Sequence, residues 1–161
     1  MTPTRCGSIS AADLLDYMDK NHLESADVKK LCTRTGGFVS HLGTSDAIEL
    51  TERAKAGDKY AEMLWNAMIY QIEKCIGSMA AVLRGQVDGI LLGGGMVYNE
   101  DLVKQITDAC SFIAPVTPYP GEFEMEAMAS GAIRVLDGEE EMKVYSGRLV
   151  WNGFPWDKAE A

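Results

Sequence analysis

Histidine is scarce in this chain, with His22 and His41 the only two among 161 residues. The four cysteines (Cys6, Cys32, Cys75 and Cys110) are scattered, with no CxxC pair. A zinc site or a disulfide-rich secreted framework would need clustered donors, so neither is expected. Reduced, mostly buried thiols in a cytoplasmic protein are the expectation instead. Basic residues are also in deficit: 15 Lys and Arg face 24 Asp and Glu, for a net charge of −9. Nucleic acid requires a basic stripe that displaces counterions, and an anionic membrane makes a similar demand, so neither partner is expected. No apolar run approaches the roughly 18 residues of a membrane span, and no signal-peptide pattern is seen. A nucleotide is not excluded by this acidity, because backbone N–H groups and helix N-termini can hold phosphates.

Apolar residues make up 47% of the chain, enough for a sizeable core. Ser10, with Asp13 three positions on, predicts a helix over "AADLLDYMDKN". "ESADVKKLCTR" reads as a second helix, capped by Ser25 and stopped by Gly36 and Gly37. The run from Gly37 to Leu42 reads as a weak strand, with His41 a core histidine rather than a base. Asp46 and Glu49 suggest a capping box for a helix to about Ala56, and Glu49 with Arg53 an i,i+4 ion pair. The longest element runs from Asp58 to Arg84, its stripe including Tyr60, Leu64, Met68, Ile72, Ile76, Met79 and Leu83. Gly85 is its expected stop.

The period then changes. "VDGILL" is a short apolar run of the kind a buried parallel strand presents. Asn99 caps a helix through about Cys110, "FIAPVTPYP" forms a second strand at an edge, and "EFEMEAMASGAIRVL" forms another helix. Strand, helix, strand, helix with short loops defines an α/β unit with parallel pairing. A weaker strand is expected at Lys143–Trp151, and the charge run before it reads as a solvated face. Two firm strands cannot hide both faces against so many helices, so the chain reads as the end of a larger enzyme or as a subunit completed by a partner.

Gly93, Gly94 and Gly95 stand where the first strand hands over to a helix. Three explanations compete. Glycine allows a tight turn with Asn99 as a simple cap. A dinucleotide fingerprint would need glycine where Tyr98 stands, and no GK[ST] follows for a P-loop. The third is a nucleotide lying against bare backbone, with the Asn99 amide in reach.

The stretches "RCGSISAADLLDYM", "GGFVSHLGTSDA", "QIEKCIGSMAAVLRGQVDGILLGGGMVYNEDL" and "SFIAPVTPYPGEFEMEAMASGAIRVLDGEEE" together resemble the C-terminal part of the acetate and butyrate kinase family. That family lies in the actin-like ATPase superfamily, and the likeness runs over about Thr2 to Tyr145. It implies an α/β fold, the C-terminal part of a ribonuclease-H-like domain with helices packed on a short, incomplete sheet. Residues 1–145 would be its adenosine-binding part, and 146–161 a tail in which Trp151 and Trp156 dock.

The implied reaction is reversible phosphoryl transfer between ATP and a short-chain carboxylate, giving ADP and an acyl phosphate with Mg. The resemblance puts Gly94, Gly95 and Met96 against the nucleoside, Asn99 on the nucleotide beyond it, and Asp46 of "GTSDA" beside the adenine. Arg5 would meet the transferring phosphoryl group, which suits a planar, permanently charged guanidinium. Glu124 would serve Mg through water, with Glu122 as an alternative. Acids at a helix start also favour the helix dipole for its own sake. The pattern departs at Ile48, where the family usually carries arginine, so one contact to the nucleotide is expected to be missing.

Nothing here resembles the family's glycine-rich phosphate loops or its N-terminal domain. The implied partners are that N-terminal half or a second chain, and a homo-oligomer. The alternative is a non-catalytic nucleotide-binding or assembly module.

Overall fold

The structure, a computed structural model, describes residues 1–147 and 151. The chain divides into two compact units, residues 1–122 and 123–161. The first holds six helices and both strands: α1 (Ala11–Lys20), α2 (Ser25–Thr33), α3 (Phe38–Leu42), α4 (Ala47–Lys55), α5 (Lys59–Val82), β1 (Ile90–Gly94), α6 (Glu100–Cys110) and β2 (Val116–Pro120).

Helix starts follow from side-chain oxygens that satisfy otherwise unpaired N–H groups. Ser10 accepts from the Asp13 N–H, and Asp46 from Ile48 and Glu49. Asp58 accepts from Tyr60 and Ala61. The cap of α2 is Glu24, not Ser25: Glu24 and Asp27 satisfy each other's backbone N–H in a reciprocal capping box, and the helix ends at Thr33, before the two glycines. The predicted Glu49–Arg53 pair is replaced by a tighter one. Arg53 donates from Nε at 3.0 Å and Nη2 at 2.7 Å to Asp58 Oδ2. That hydrogen-bonded guanidinium, then the cap bond from Ala61, holds the Asp58 carboxyl below the usual carboxylate range.

The segment expected as a weak strand at 37–42 is helix α3. Its start is fixed from a distance, since the Val39 N–H donates to Pro3 O at 3.1 Å and Phe38 is fully buried. His41 consequently faces solvent, its Nδ1 2.7 Å from the Tyr60 hydroxyl, and is not a core residue.

The core gathers Phe38, Leu50 and Ala61, then Leu64, Trp65, Met68 and Ile69 of α5, then Leu102, Ile106 and Cys110 of α6. Each large side chain buried there contributes about 1.5–3 kcal/mol. The buried residues of α5 all lie in its first half. Farther along the predicted stripe, Ile72 and Ile76 are half-buried and Met79 and Leu83 are exposed.

β1 and β2 form a parallel two-stranded sheet, with Ile90 opposite Val116 and Gly94 opposite Pro120. The buried-run expectation for β1 holds on one face only. Ile90 and Leu92 pack against the core, while Leu91 between them is 69% exposed. Among the described residues no other strand occurs; 143–147 are not one, and 148–150 lie outside them.

The second unit contains α7 (Glu124–Leu136), which buries none of its residues. Arg134 closes its C-terminal turn on Glu140 at 2.9 Å. Trp151 is exposed, and Trp156 lies outside the described residues.

Candidate functional site

β1 ends by turning sharply. Gly94 has φ 97° and ψ 173°, a conformation side chains resist, and the chain then makes one 3-10 turn over Gly95–Tyr98. The Asn99 N–H closes that turn on Met96 O at 3.1 Å. Asn99 Oδ1 accepts from the Leu102 N–H at 3.0 Å, which starts α6 and leaves only Nδ2 to donate to a ligand.

A cleft of about 700 Å³ opens beside this turn. Its walls are Ala47, Ile48 and Thr51 of α4, Trp65 of α5, and Gly95, Met96, Tyr98 and Asn99, with Glu122 at one edge. The volume is ordinary for a small-molecule site. No lysine or arginine is among the described lining residues, and Glu122 carries the one formal charge. Such a lining suits an uncharged, flat group better than a polyphosphate, which asks for guanidinium, ammonium or metal.

The glycines differ in what requires them. Positive φ requires Gly94, whereas a Cβ built on Gly93 or Gly95 would meet nothing within 4 Å. The bare backbone at Gly95 is therefore not demanded by the chain's own packing, and it lies on the cleft wall.

The structure thus brings Gly95, Met96 and Asn99 together. Gly94 stands one residue before the lining, and Asp46 one residue before Ala47, its carboxylate engaged at Ile48 N (2.8 Å) and Glu49 N (3.4 Å). Ile48, at the position where the resemblance expects arginine, is 69% exposed and lines the cleft. Arg5 is not among the lining residues. It is exposed in the loop before α1, where its backbone N–H donates to Thr2 Oγ1 at 3.0 Å. Glu124 opens α7 in the second unit. Among the described residues, no three His, Cys, Asp or Glu side chains gather into a metal site. Sequence reasoning missed Trp65, whose signal was its place beside Ala61, Leu64 and Met68 on the buried face of α5.

All four thiols are free. Cys110 is buried, but Cys6 and Cys32 are half-buried and Cys75 is exposed, so the expectation of mostly buried thiols fails. Burial, then the nearby Glu73 charge, raises the Cys110 pKa.

Comparison with known structures defines the fold class. An acetate kinase from Porphyromonas gingivalis superposes with a TM-score of 0.76 at 22% identity, over 84% of this chain and 40% of that one. The fold is thus the expected α/β, actin-like ATPase type, its strands here reduced to a parallel pair. The model of the Acetokinase family matches residues 1–113, and the chain belongs to that family. A probable butyrate kinase 2 of Caldanaerobacter subterraneus subsp. tengcongensis is 48% identical over 146 residues. Butyrate kinase 2 of Clostridium acetobutylicum is 45% identical over 144. Both alignments cover 89% of this chain, but only 41% and 40% of the relatives' own lengths.

Proposed function

We propose that this chain supplies the adenosine-binding part of a carboxylate kinase that converts ATP and butyrate reversibly to ADP and butyryl phosphate. The observation that carries this reading is a cleft with no lysine or arginine among its described lining residues, walled by Gly95, at which an added Cβ would meet nothing within 4 Å. A nucleoside fits that lining: its base lies on bare backbone at Gly95, beside Met96 and Ile48, and Asn99 Nδ2 donates to it or to the ribose. Asp46 acts by fixing the first turn of α4.

Mg, when bound, neutralises charge on the phosphate oxygens. It commonly uses only one or two protein carboxylates beside those oxygens, and Glu124, or Glu122 on the cleft edge, would serve through water. Arg5 is assigned to the transferring phosphoryl group, where a guanidinium offsets charge on the equatorial oxygens. The remaining kinase half, or a second chain, supplies the phosphate loops and the acyl pocket, so this chain alone makes no butyryl phosphate. A cytoplasmic homo-oligomer completes the reading. Among the described residues no helix is long and apolar enough to cross a membrane.

Ile48 favours a second reading, a nucleotide-binding or assembly module without the chemistry. Calorimetric titration with ADP tests the part common to both. Binding by the chain, weakened about tenfold by Asn99→Ala, supports the nucleoside site; no heat from the unaltered chain overturns it. Butyryl phosphate formed from ATP by this chain alone would overturn the assignment of the chemistry to a missing half.

A further inference from the structure

The loop before α1 is tied across the α2–α3 junction by three backbone hydrogen bonds. Gly36 N–H donates to Thr4 O (3.1 Å), Val39 N–H to Pro3 O (3.1 Å) and Cys6 N–H to Cys32 O (3.2 Å). The last of these joins the backbone of Cys6 directly to that of Cys32 and so sets the two residues side by side, as a disulfide requires. The Cys6 thiol, which donates to Gly7 O at 3.5 Å, also lies near enough to raise the Cys32 pKa. Cys6 cannot drift away easily, since Gly36 is packed so closely that a Cβ there would lie 2.7 Å from the Cys6 nitrogen. Both thiols are half-buried, open enough for a small reagent to reach.

We infer that Cys6 and Cys32 form a dithiol site that small disulfides oxidise to an intrachain disulfide, clasping the N-terminal loop to α2. The Cys6 thiolate attacks a low-molecular-weight disulfide RSSR, forming a mixed disulfide and releasing RS⁻. The Cys32 thiolate then attacks the Cys6 sulfur and releases the second RS⁻. The two protons lost by the protein thiols pass to the two leaving thiolates. Two electrons pass from the dithiol to RSSR. The order follows from the surroundings of Cys32, whose pKa is raised by burial first, then by the neighbouring Cys6 thiol. A raised pKa disfavours Cys32 as the first attacker. The clasp adjoins Arg5, so any effect on phosphoryl transfer rests on the role proposed for that residue, whereas the cross-link does not.

The test equilibrates the 161-residue chain with glutathione disulfide, blocks the remaining thiols, and maps peptides by mass spectrometry. Paired thiols act at an effective concentration of millimolar or above, so with sub-millimolar glutathione disulfide the cross-link outcompetes mixed disulfides. The expected result is a mass lower by two hydrogens and a Cys6–Cys32 linked peptide. That peptide disappears in Cys6→Ser and in Cys32→Ser, and persists in Cys75→Ser. Separate glutathione adducts on Cys6 and Cys32 in the unaltered chain, a link to Cys75 or Cys110, or two unreacted thiols would each overturn the inference. None of these readouts involves nucleotide, so failure here leaves the adenosine site untouched, and the reverse also holds.

Discussion

Two glycine pairs in this molecule have opposite causes. At Gly36 and Gly37 the chain is crowded by itself: a Cβ on Gly36 would lie 2.6 Å from Leu31 O, and one on Gly37 1.7 Å from Thr2 O. At Gly93 and Gly95 an added Cβ would meet nothing within 4 Å. The first pair is glycine because backbone already fills the space, and the second although nothing in the chain does. Packing thus accounts for the first pair completely, whereas it does not require the second, just as it does not require Gly77 in α5.

Substitutions can break or sharpen this contrast. Gly37→Ala should have the largest effect, since it adds a clash with backbone at a φ of 59°. A loss of roughly 2–4 kcal/mol in urea denaturation is expected; an unchanged midpoint would show that the loop over α3 contributes little. Gly94→Ala should cost less, about 1–3 kcal/mol, because its space is open and only its backbone conformation resists a side chain. Gly95→Ala should be nearly silent in stability, within about 0.5 kcal/mol, yet lower ADP affinity at least tenfold. A variant that unfolds, or that binds ADP as well as the unaltered chain, would remove Gly95 from the site.

The sequence made local features readable and long-range ones opaque. Ser10, Asp46 and Asn99 were legible as caps because each acts on N–H groups two or three residues away. Both strands and α6 were legible because the change in apolar period is itself local. Helix α3 was not, since "FVSHL" has the β-branched and aromatic content of a strand and becomes helical where Pro3 and the buried Phe38 fix it. The Arg53 pair was missed because two acids lay within its reach, and the better geometry belonged to Asp58. Of the site, Gly95, Met96 and Asn99 share one short segment and were found together. The contributions of Thr51 and Trp65 needed the packing of α4 and α5 to become visible. The approach of Cys6 to Cys32 had no signal in spacing at all.

The prolines of β2 have a consequence for how the sheet can grow. Pro115 O accepts from the Ile90 N–H at 2.8 Å and the Gly121 N–H donates to Gly94 O at 3.3 Å, so the odd-numbered residues 115–121 turn their polar backbone toward β1. The even-numbered ones, Val116, Pro118 and Pro120, turn theirs to the outer edge, and two of those three have no N–H to offer. A further strand laid along that edge would find two of its three N–H donors missing, which is how natural sheets deter stray pairing. The sheet is therefore directional: β2 terminates it, and β1 is the side on which it can be extended.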